Sequence, residues 1–422
     1  MSATSMISEI AIKARAATYS LAHSTLAERN KLICNIADGL EKNLQSILKI
    51  NQVDVEAAKA EKISPALIDR LMLNEKRVMQ MAAAAREISQ LPDPLGKILV
   101  ERNLPNGLNL KQKTVPFGVV GMIYEARPNV TVDAAVILLK SGNAALLRGS
   151  ASAVNTNQVL VEIMKSAFNN SGISSDVLAL IPSDDRATAS ALLTARGLVD
   201  LVIPRGGAEL IQSVISQATV PVIETGAGVC HVYVDKSADL DKAISILINS
   251  KCNRPSVCNA AETLLVDQAI AEPFTALALK ALTKAGVVIN CDLATKNIAD
   301  AMGVNVKLAT EQSWATEYGE LEINIAQVAG VQGGLEHIAK FGTKHTEAIV
   351  ATDTNAIRDF SSSVDCAAVM INASTRFTDG GQMGFGGEIG ISNQKIHARG
   401  PMGIEQMTTT TWIVTGDGQI RE

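Results

Sequence analysis

The ten residues Lys251-Cys-Asn-Arg-Pro-Ser-Val-Cys-Asn-Ala260 hold the strongest candidate for chemistry in the chain. Asn-Arg-Pro-Ser is turn chemistry, because Pro255 fixes its own φ and pushes Arg254 out of the helical region. A helical run from Leu240 to Asn249 precedes the stretch, and an apolar strand run from Glu262 to Val266 follows it. Cys258 is therefore expected at a helix-to-strand junction, with Arg254 favouring thiolate over thiol. A thiolate attacks carbonyl carbon well, and covalent catalysis divides one hard step into two easier ones. The competing reading is that Cys258 is a small buried hydrophobe, as most cysteines are.

A second set of polar residues falls at the ends of short apolar runs. Glu125-Ala-Arg127-Pro-Asn129 follows Phe117–Tyr124, and Arg148-Gly-Ser150 follows Ala144–Leu147. Pro204-Arg205-Gly-Gly207 follows Val199–Ile203, and Glu224-Thr225-Gly-Ala-Gly228 follows Pro221–Ile223. Arginines and backbone amides at helix N-termini form a natural phosphate cradle. No Gly-x-Gly-x-x-Gly follows the first run, so the usual dinucleotide fingerprint is absent. Each glycine alone reads as a turn; the same theme at four strand ends points to an anionic ligand.

The elements that must position these residues follow from periodicity. Residues 6 to 92 read as helices, with one long run from Leu26 to Leu48 and a helix opening at Ser64-Pro65. Pro92-Asp-Pro94-Leu-Gly96 stops them. Residues 98 to 115 read as a hairpin around Asn106-Gly107, the strongest short hairpin signal, projecting as an oligomerisation arm. From 116 to 223, five short apolar runs alternate with helical ones, which predicts a parallel sheet with helices on both faces and ligands at its carboxyl ends. Residues 230 to 395 read as a second α/β unit ending in the glycine-rich loop from Thr378 to Gly390. Gln406 to Val414 reads as a strand suited to pair with the hairpin.

Composition narrows the class of function. The chain has 422 residues, 47% of them hydrophobic, enough for two or three domains with a sizeable core. A net charge of -5 and an aromatic content of 3% argue against a nucleic-acid partner. The six cysteines make no Cys-x-x-Cys pair and the five histidines show no metal-ligand spacing with them. Reduced thiols and an N-terminus without a secretory pattern predict a cytoplasmic location, and no apolar run approaches a membrane span.

The order of helices, hairpin, Rossmann-like unit, thiol domain and returning strand resembles the aldehyde dehydrogenase superfamily. Two segments are more closely similar to the gamma-glutamyl phosphate reductase family within it: Arg254-Pro-Ser-Val-Cys258-Asn-Ala-Ala-Glu-Thr263, and Glu336-His337-Ile-Ala-Lys-Phe-Gly-Thr-Lys-His345-Thr-Glu-Ala-Ile349. Pro116 to Thr131 and Leu147-Arg-Gly-Ser150 also look like this family, so the resemblance covers nearly the whole chain. Gly334 stands where the signature usually has alanine.

The resemblance implies an aldehyde dehydrogenase-like α/β fold in three parts. An NADPH-binding domain takes 1–97 and 116–229, a catalytic domain takes 230–395, and 98–115 with 396–422 form a small β oligomerisation arm. It implies NADPH-dependent reduction of L-glutamyl 5-phosphate to L-glutamate 5-semialdehyde in proline biosynthesis, with release of phosphate. Cys258 matches the nucleophile, which forms a thioester. Its backbone amide and Asn129 are the expected oxyanion donors, although the loop at 129 departs from the Trp-Asn-Phe-Pro pattern of aldehyde dehydrogenases. Arg148, Gly149 and Ser150 would face the adenosine ribose and its 2′-phosphate. Arg205, Gly206 and Gly207 would meet the pyrophosphate, and Glu317 the nicotinamide ribose. Glu224 either lines the nicotinamide pocket or, in the alternative of an oxidative semialdehyde dehydrogenase, activates water. Arg127, Arg254, His345 and Arg376 are the expected substrate contacts, and His337 a core histidine. A binding or scaffold protein without activity is the alternative of a different class. Expected partners are further copies of the chain and, because acyl phosphates are labile, the upstream glutamate kinase.

Overall fold

A computed structural model describes residues 2–421. The chain forms two compact units. The first runs through Thr225 and regains Gly384–Gly390 and the segment from Met402 onward; the second comprises Gly226–Met383 and Ile391–Pro401.

The first unit opens with five helices, α1 (Ala3–Ala22), α2 (Leu26–Lys42), α3 (Leu44–Ala60), α4 (Pro65–Leu71) and α5 (Glu75–Gln90). Thr25 and Glu28 form a reciprocal capping box at the start of α2. The single run expected from Leu26 to Leu48 is two helices, because Asn43 leaves helical geometry at φ -102°, ψ 16° and its side chain bonds back to the Gly39 carbonyl instead. β1 (Ile98–Asn103) and β2 (Asn109–Pro116) form the antiparallel hairpin. Its connection is longer than a two-residue turn: Leu104 N–H donates to Leu108 O and Gly107 N–H to Leu104 O, with Gly107 at φ +86°. The C-terminal strand Thr408–Thr415 pairs antiparallel along β2, Thr408 opposite Pro116 and Thr415 opposite Asn109.

Then come β3 (Val119–Tyr124), α6 (Pro128–Lys140), β4 (Ala144–Arg148), α7 (Val154–Ser166), β5 (Leu178–Leu180), α8 (Ala187–Leu193), β6 (Leu201–Arg205) and α9 (Ala208–Gln217). The sheet is parallel with order β5-β4-β3-β6. The strand expected at 221–223 contributes only a bridge between Val202 and Val222, since Pro221 has no N–H to donate to a ladder. The chain order reverses at β3, so the loops after β3 and β6 leave a crevice at their carboxyl ends.

The second unit follows with β7 (Cys230–Val234), α10 (Leu240–Cys252), β8 (Ala261–Asp267), α11 (Ala271–Lys284), β9 (Val288–Cys291), α12 (Leu293–Ala301), β10 (Lys307–Leu308), α13 (Glu311–Trp314), β11 (Glu322–Val328), α14 (Gly330–Phe341), β12 (Thr346–Val350), α15 (Thr354–Ser363) and β13 (Ala368–Ile371). Its seven-stranded parallel sheet has the order β10-β9-β11-β8-β7-β12-β13. Alternate residues feed two cores. Val232, Val234, Leu264 and Val266 pack on one face, and Tyr233, Leu265 and Ile349 on the other. A parallel sheet covered on both faces needs such continuous apolar strands.

Candidate active site

Cys258 lies half-buried in the turn between the end of α10 and the start of β8. Helix α10 is capped by the Asp239 side chain on the Lys242 amide. It stops just before Arg254-Pro255, as the proline requires.

The loop is gripped from three directions. A methyl group on Gly228 would lie 2.5 Å from the Cys258 carbonyl carbon and 2.9 Å from its Cα, so only glycine allows this approach. The Cys230 thiol donates to the Cys258 carbonyl at 3.2 Å. Asn259 is buried and donates to Thr378 O at 2.8 Å. Arg376 spans the loop, giving one guanidinium hydrogen bond to Asn259 Oδ1 and another to Asn253 Oδ1 at 3.3 Å. Ser374, in the same segment, meets the Ser250 hydroxyl at 3.0 Å.

The thiols differ in setting. Burial pushes Cys230 well above the usual thiol range, Cys252 above it, Cys291 up to about 11 and Cys366 up to about 12. These four stay protonated and unreactive at neutral pH.

The expected partners on this unit are distributed unevenly. Arg254 is exposed, four residues ahead of Cys258. His345 is fully buried at the head of β12, with Nδ1 2.9 Å from Thr346 Oγ1 and 3.8 Å from the Cys230 sulfur, so its side chain faces the interior. Glu317 is exposed in the turn ahead of β11, and the next glycine amide, Gly319, donates to the buried Glu262 at 3.4 Å. His337 packs among Trp314, Phe341 and His231, where burial pushes it down to about 3 and keeps it neutral. His231 sits against the Glu347 carboxylate at 2.9 Å. Cys230, Lys251, Asn259 and Glu262 were given no role of their own from the sequence, and Gly228 only a place in a strand-end glycine set. The asparagines flanking the Cys258 turn and the paired charges at 251 and 262 are the signals that were there to find them.

On the first unit the strand ends gather as follows. Arg148 closes β4 half-buried, donating to Thr188 Oγ1 at 3.2 Å and Asp185 O at 3.3 Å, which holds a cation in place at the crevice. Gly149 has no room for a side chain, as its methyl would overlap the Asn157 amide and lie 3.2 Å from Tyr124. Ser150 meets the Ser152 hydroxyl at 2.6 Å. Gly206 and Gly207 lead into α9 beside Arg205, and the Gly207 amide donates to the Glu125 carboxylate at 3.1 Å. A carboxylate already seated on this helix N-terminus marks it as an anion position. Arg127 caps α6 by position, and Asn129 in its first turn donates to Asp133 at 3.0 Å. Burial pushes Asp133 up to about 6. Glu224 is half-buried just beyond the Val222 bridge. A fixed arginine with glycine backbone at adjacent strand ends fits a phosphate-bearing dinucleotide.

Among the described residues no group of three or more His, Cys, Asp or Glu is arranged to hold a metal ion, and no described helix is long and apolar enough to cross a membrane.

Two parallel α/β sheets in this order fit the fold of the aldehyde dehydrogenases, and the Aldehyde dehydrogenase family model matches residues 2–301. A gamma-glutamyl phosphate reductase of Kineococcus radiotolerans is 50% identical over 97% of this chain and 95% of its own, and one of Thermobifida fusca is 48% identical over 98% of both. The crystal structure of gamma-glutamyl phosphate reductase from Thermotoga maritima superposes with a TM-score of 0.95 at 43% identity, covering 99% of this chain and 100% of that one. The chain belongs to the gamma-glutamyl phosphate reductases of the aldehyde dehydrogenase family.

Proposed function

We propose that the protein reduces L-glutamyl 5-phosphate to L-glutamate 5-semialdehyde with NADPH, releasing phosphate, through a thioester on Cys258. The observation that carries this reading is the contrast among the thiols. Cys258 sits half-exposed in a turn gripped by Gly228, Cys230, Asn259 and Arg376, whereas the other half-buried thiols, Cys34 and Cys252, lie on helices and Cys230, Cys291 and Cys366 are buried.

In the first step the Cys258 thiolate attacks the acyl carbon of the substrate. The carbon–sulfur bond forms and the bond to the phosphate oxygen breaks, giving thioester and inorganic phosphate. The leaving group is good, so no strong general acid is required. The tetrahedral oxyanion takes the Cys258 backbone amide and the Asn129 side chain as donors. When bound, the nicotinamide cofactor supplies hydride to the thioester carbon. The resulting thiohemiacetal collapses, the carbon–sulfur bond breaks, and the thiolate is restored as the aldehyde leaves. Arg148, with Gly149 and Ser150, holds the ribose 2′-phosphate and so selects NADPH over NADH. Arg205, Gly206 and Gly207 serve the pyrophosphate, Glu317 the nicotinamide ribose and Glu224 the nicotinamide pocket. Arg254 and Arg127 supply charge to the phosphate and carboxylate of the substrate. Arg376 and His345 act through the loop, by way of Asn253, Asn259 and Cys230.

The arm supports a homo-oligomer. Leu99 on β1 and Trp412 and Val414 on the C-terminal strand are at least half exposed, and these are the two edges of a three-stranded sheet that a second copy would cover. Six free thiols suit a reducing compartment such as the cytoplasm. A labile acyl phosphate favours direct transfer from the upstream glutamate kinase.

The test runs the reaction in reverse with glutamate semialdehyde, NADP and inorganic phosphate, following NADPH absorbance in wild type and Cys258→Ala. Turnover that requires phosphate and vanishes in the variant is expected. Turnover without phosphate would instead mean an oxidising dehydrogenase with Glu224 as its base, and full activity in the variant would remove Cys258 from the mechanism.

A further inference from the structure

Lys251 and Glu262 stand at the two ends of the turn that carries Cys258, and both side chains are fully buried. Lys251 Nζ donates to Glu262 Oε2 at 2.7 Å. The steps above use neither. A pair of charges this deep gains little net stability over apolar residues of the same size, so burial energy alone does not account for them.

Their surroundings show what they hold. Strand β8 is bulged at Glu262: Cys230 faces Ala261, while the next residue, His231, faces Thr263. The extra residue between them is Glu262, and a bulge of this kind re-aims a side chain out of the regular pleat. The carbonyl of the bulged residue accepts from Asn324 Nδ2 at 3.2 Å, and Asn324 Oδ1 accepts the Tyr318 hydroxyl at 2.8 Å. The second carboxylate oxygen of Glu262 accepts the Gly319 amide at 3.4 Å. Tyr318 and Gly319 are the two residues after Glu317. One residue therefore ties the base of the thiol turn, through Lys251, to the turn that presents Glu317, through its side chain and its own carbonyl.

We propose that Glu262 is a positioning residue, which locks the Glu317 turn to the frame of the Cys258 turn and so sets the cofactor contact made by Glu317. The inference rests on the reading that Cys258 and Glu317 serve one reaction. It makes Glu262 a determinant of cofactor binding from inside the core, without touching the cofactor.

Removing one partner of a buried ion pair leaves an uncompensated charge, so the test replaces both. Lys251→Met with Glu262→Gln keeps an oxygen for the Gly319 amide; Lys251→Met with Glu262→Leu removes it. Both lack the ion pair and are expected to melt alike. The glutamine pair should keep the KM for NADP within about threefold of wild type. The leucine pair should raise it about tenfold, roughly the loss of one hydrogen bond, with the KM values for semialdehyde and phosphate unchanged. Hydrogen exchange at residues 316–320 should quicken in the leucine pair only. Tyr318→Phe leaves the buried pair intact, cuts the tie to Asn324, and should raise the KM for NADP severalfold even if the double variants fold poorly. Equal NADP KM in both double variants with unchanged exchange, or a wild-type KM in Tyr318→Phe, would overturn the proposal. Absence of phosphate-dependent turnover in wild type would instead defeat the proposed function, and the exchange experiment would still decide whether Glu262 holds the turn.

Discussion

The sharpest test of how the thiol is positioned is Gly228→Ala. The added methyl would stand 2.5 Å from the Cys258 carbonyl carbon and 2.9 Å from its Cα, and would overlap the carbonyl oxygen. Carbon atoms in contact sit about 3.5 Å apart or more, so the backbone at Cys258 must retreat by about 1 Å. It cannot retreat freely, because Cys230, Asn259 and Arg376 hold the turn from other sides. A misplacement of ~1 Å at a reacting atom lowers rates by about a hundredfold, equivalent to ~2.7 kcal/mol in the barrier. Overpacking of this kind also destabilises by ~1–3 kcal/mol, a fall of a few degrees in Tm. The expected result is a kcat down about a hundredfold in the phosphate-dependent assay. The KM for NADP should hold, and the protein should remain folded at assay temperature. A folded Gly228→Ala protein with wild-type kcat would refute the claim that the Cys258 backbone is pinned where the chemistry needs it.

Other perturbations separate positioning from stability. Arg376→Lys replaces a fork by a point charge, so the turn loses one of its two asparagine contacts; kcat should fall about tenfold, ~1.4 kcal/mol in the barrier, with little change in Tm. His337 is held neutral by burial, its value pushed from 6.5 down to about 3. Its contribution is complete above pH 6.5 and is lost as pH falls toward 3, because the unfolded chain takes up the proton first. Stability of the wild type should therefore drop by up to ~1.4 kcal/mol per pH unit more steeply than that of His337→Gln below about pH 6, measured by denaturant midpoints; parallel curves would refute it. Asn143 is fully buried, accepting from Gly118 N–H at 3.0 Å and donating to Met407 O at 2.8 Å. Asn143→Ala should cost ~2–4 kcal/mol by leaving both groups unpaired, seen as a lowered melting temperature. Gly333, within α14, has nothing nearer than 3.4 Å to an added methyl; Gly333→Ala should stabilise by ~0.5–1 kcal/mol without altering turnover.

Much of this was legible in the chain as written. Alternating apolar runs and helices announced parallel sheets, since strand and helix periods are local properties. Pro255 announced the turn at Cys258 for the same reason, and the β-branched run from Thr408 announced a strand. Local signals also misled where a competitor was one residue away. Asn43 broke a helix whose apolar face continues past it, and Pro221 cancelled a strand by withholding its N–H.

The sequence by itself determined which residue types stand at strand ends and turns, because backbone preference is set by neighbours in the chain. Only the tertiary structure decided which of them touch. Gly228 lies thirty residues from Cys258 yet abuts its carbonyl, and Arg376 reaches back more than a hundred residues to the asparagines around it. His345, read as a substrate contact from its place in a motif, is buried with its Nδ1 beside the Cys230 sulfur and Thr346 Oγ1, neighbours that no motif spells out. The bulge that aims Glu262 exists only in the pairing of β8 with β7. These contacts arise from register between strands distant in the chain. No local preference encodes them, because a one-residue slip would send every side chain to the opposite face.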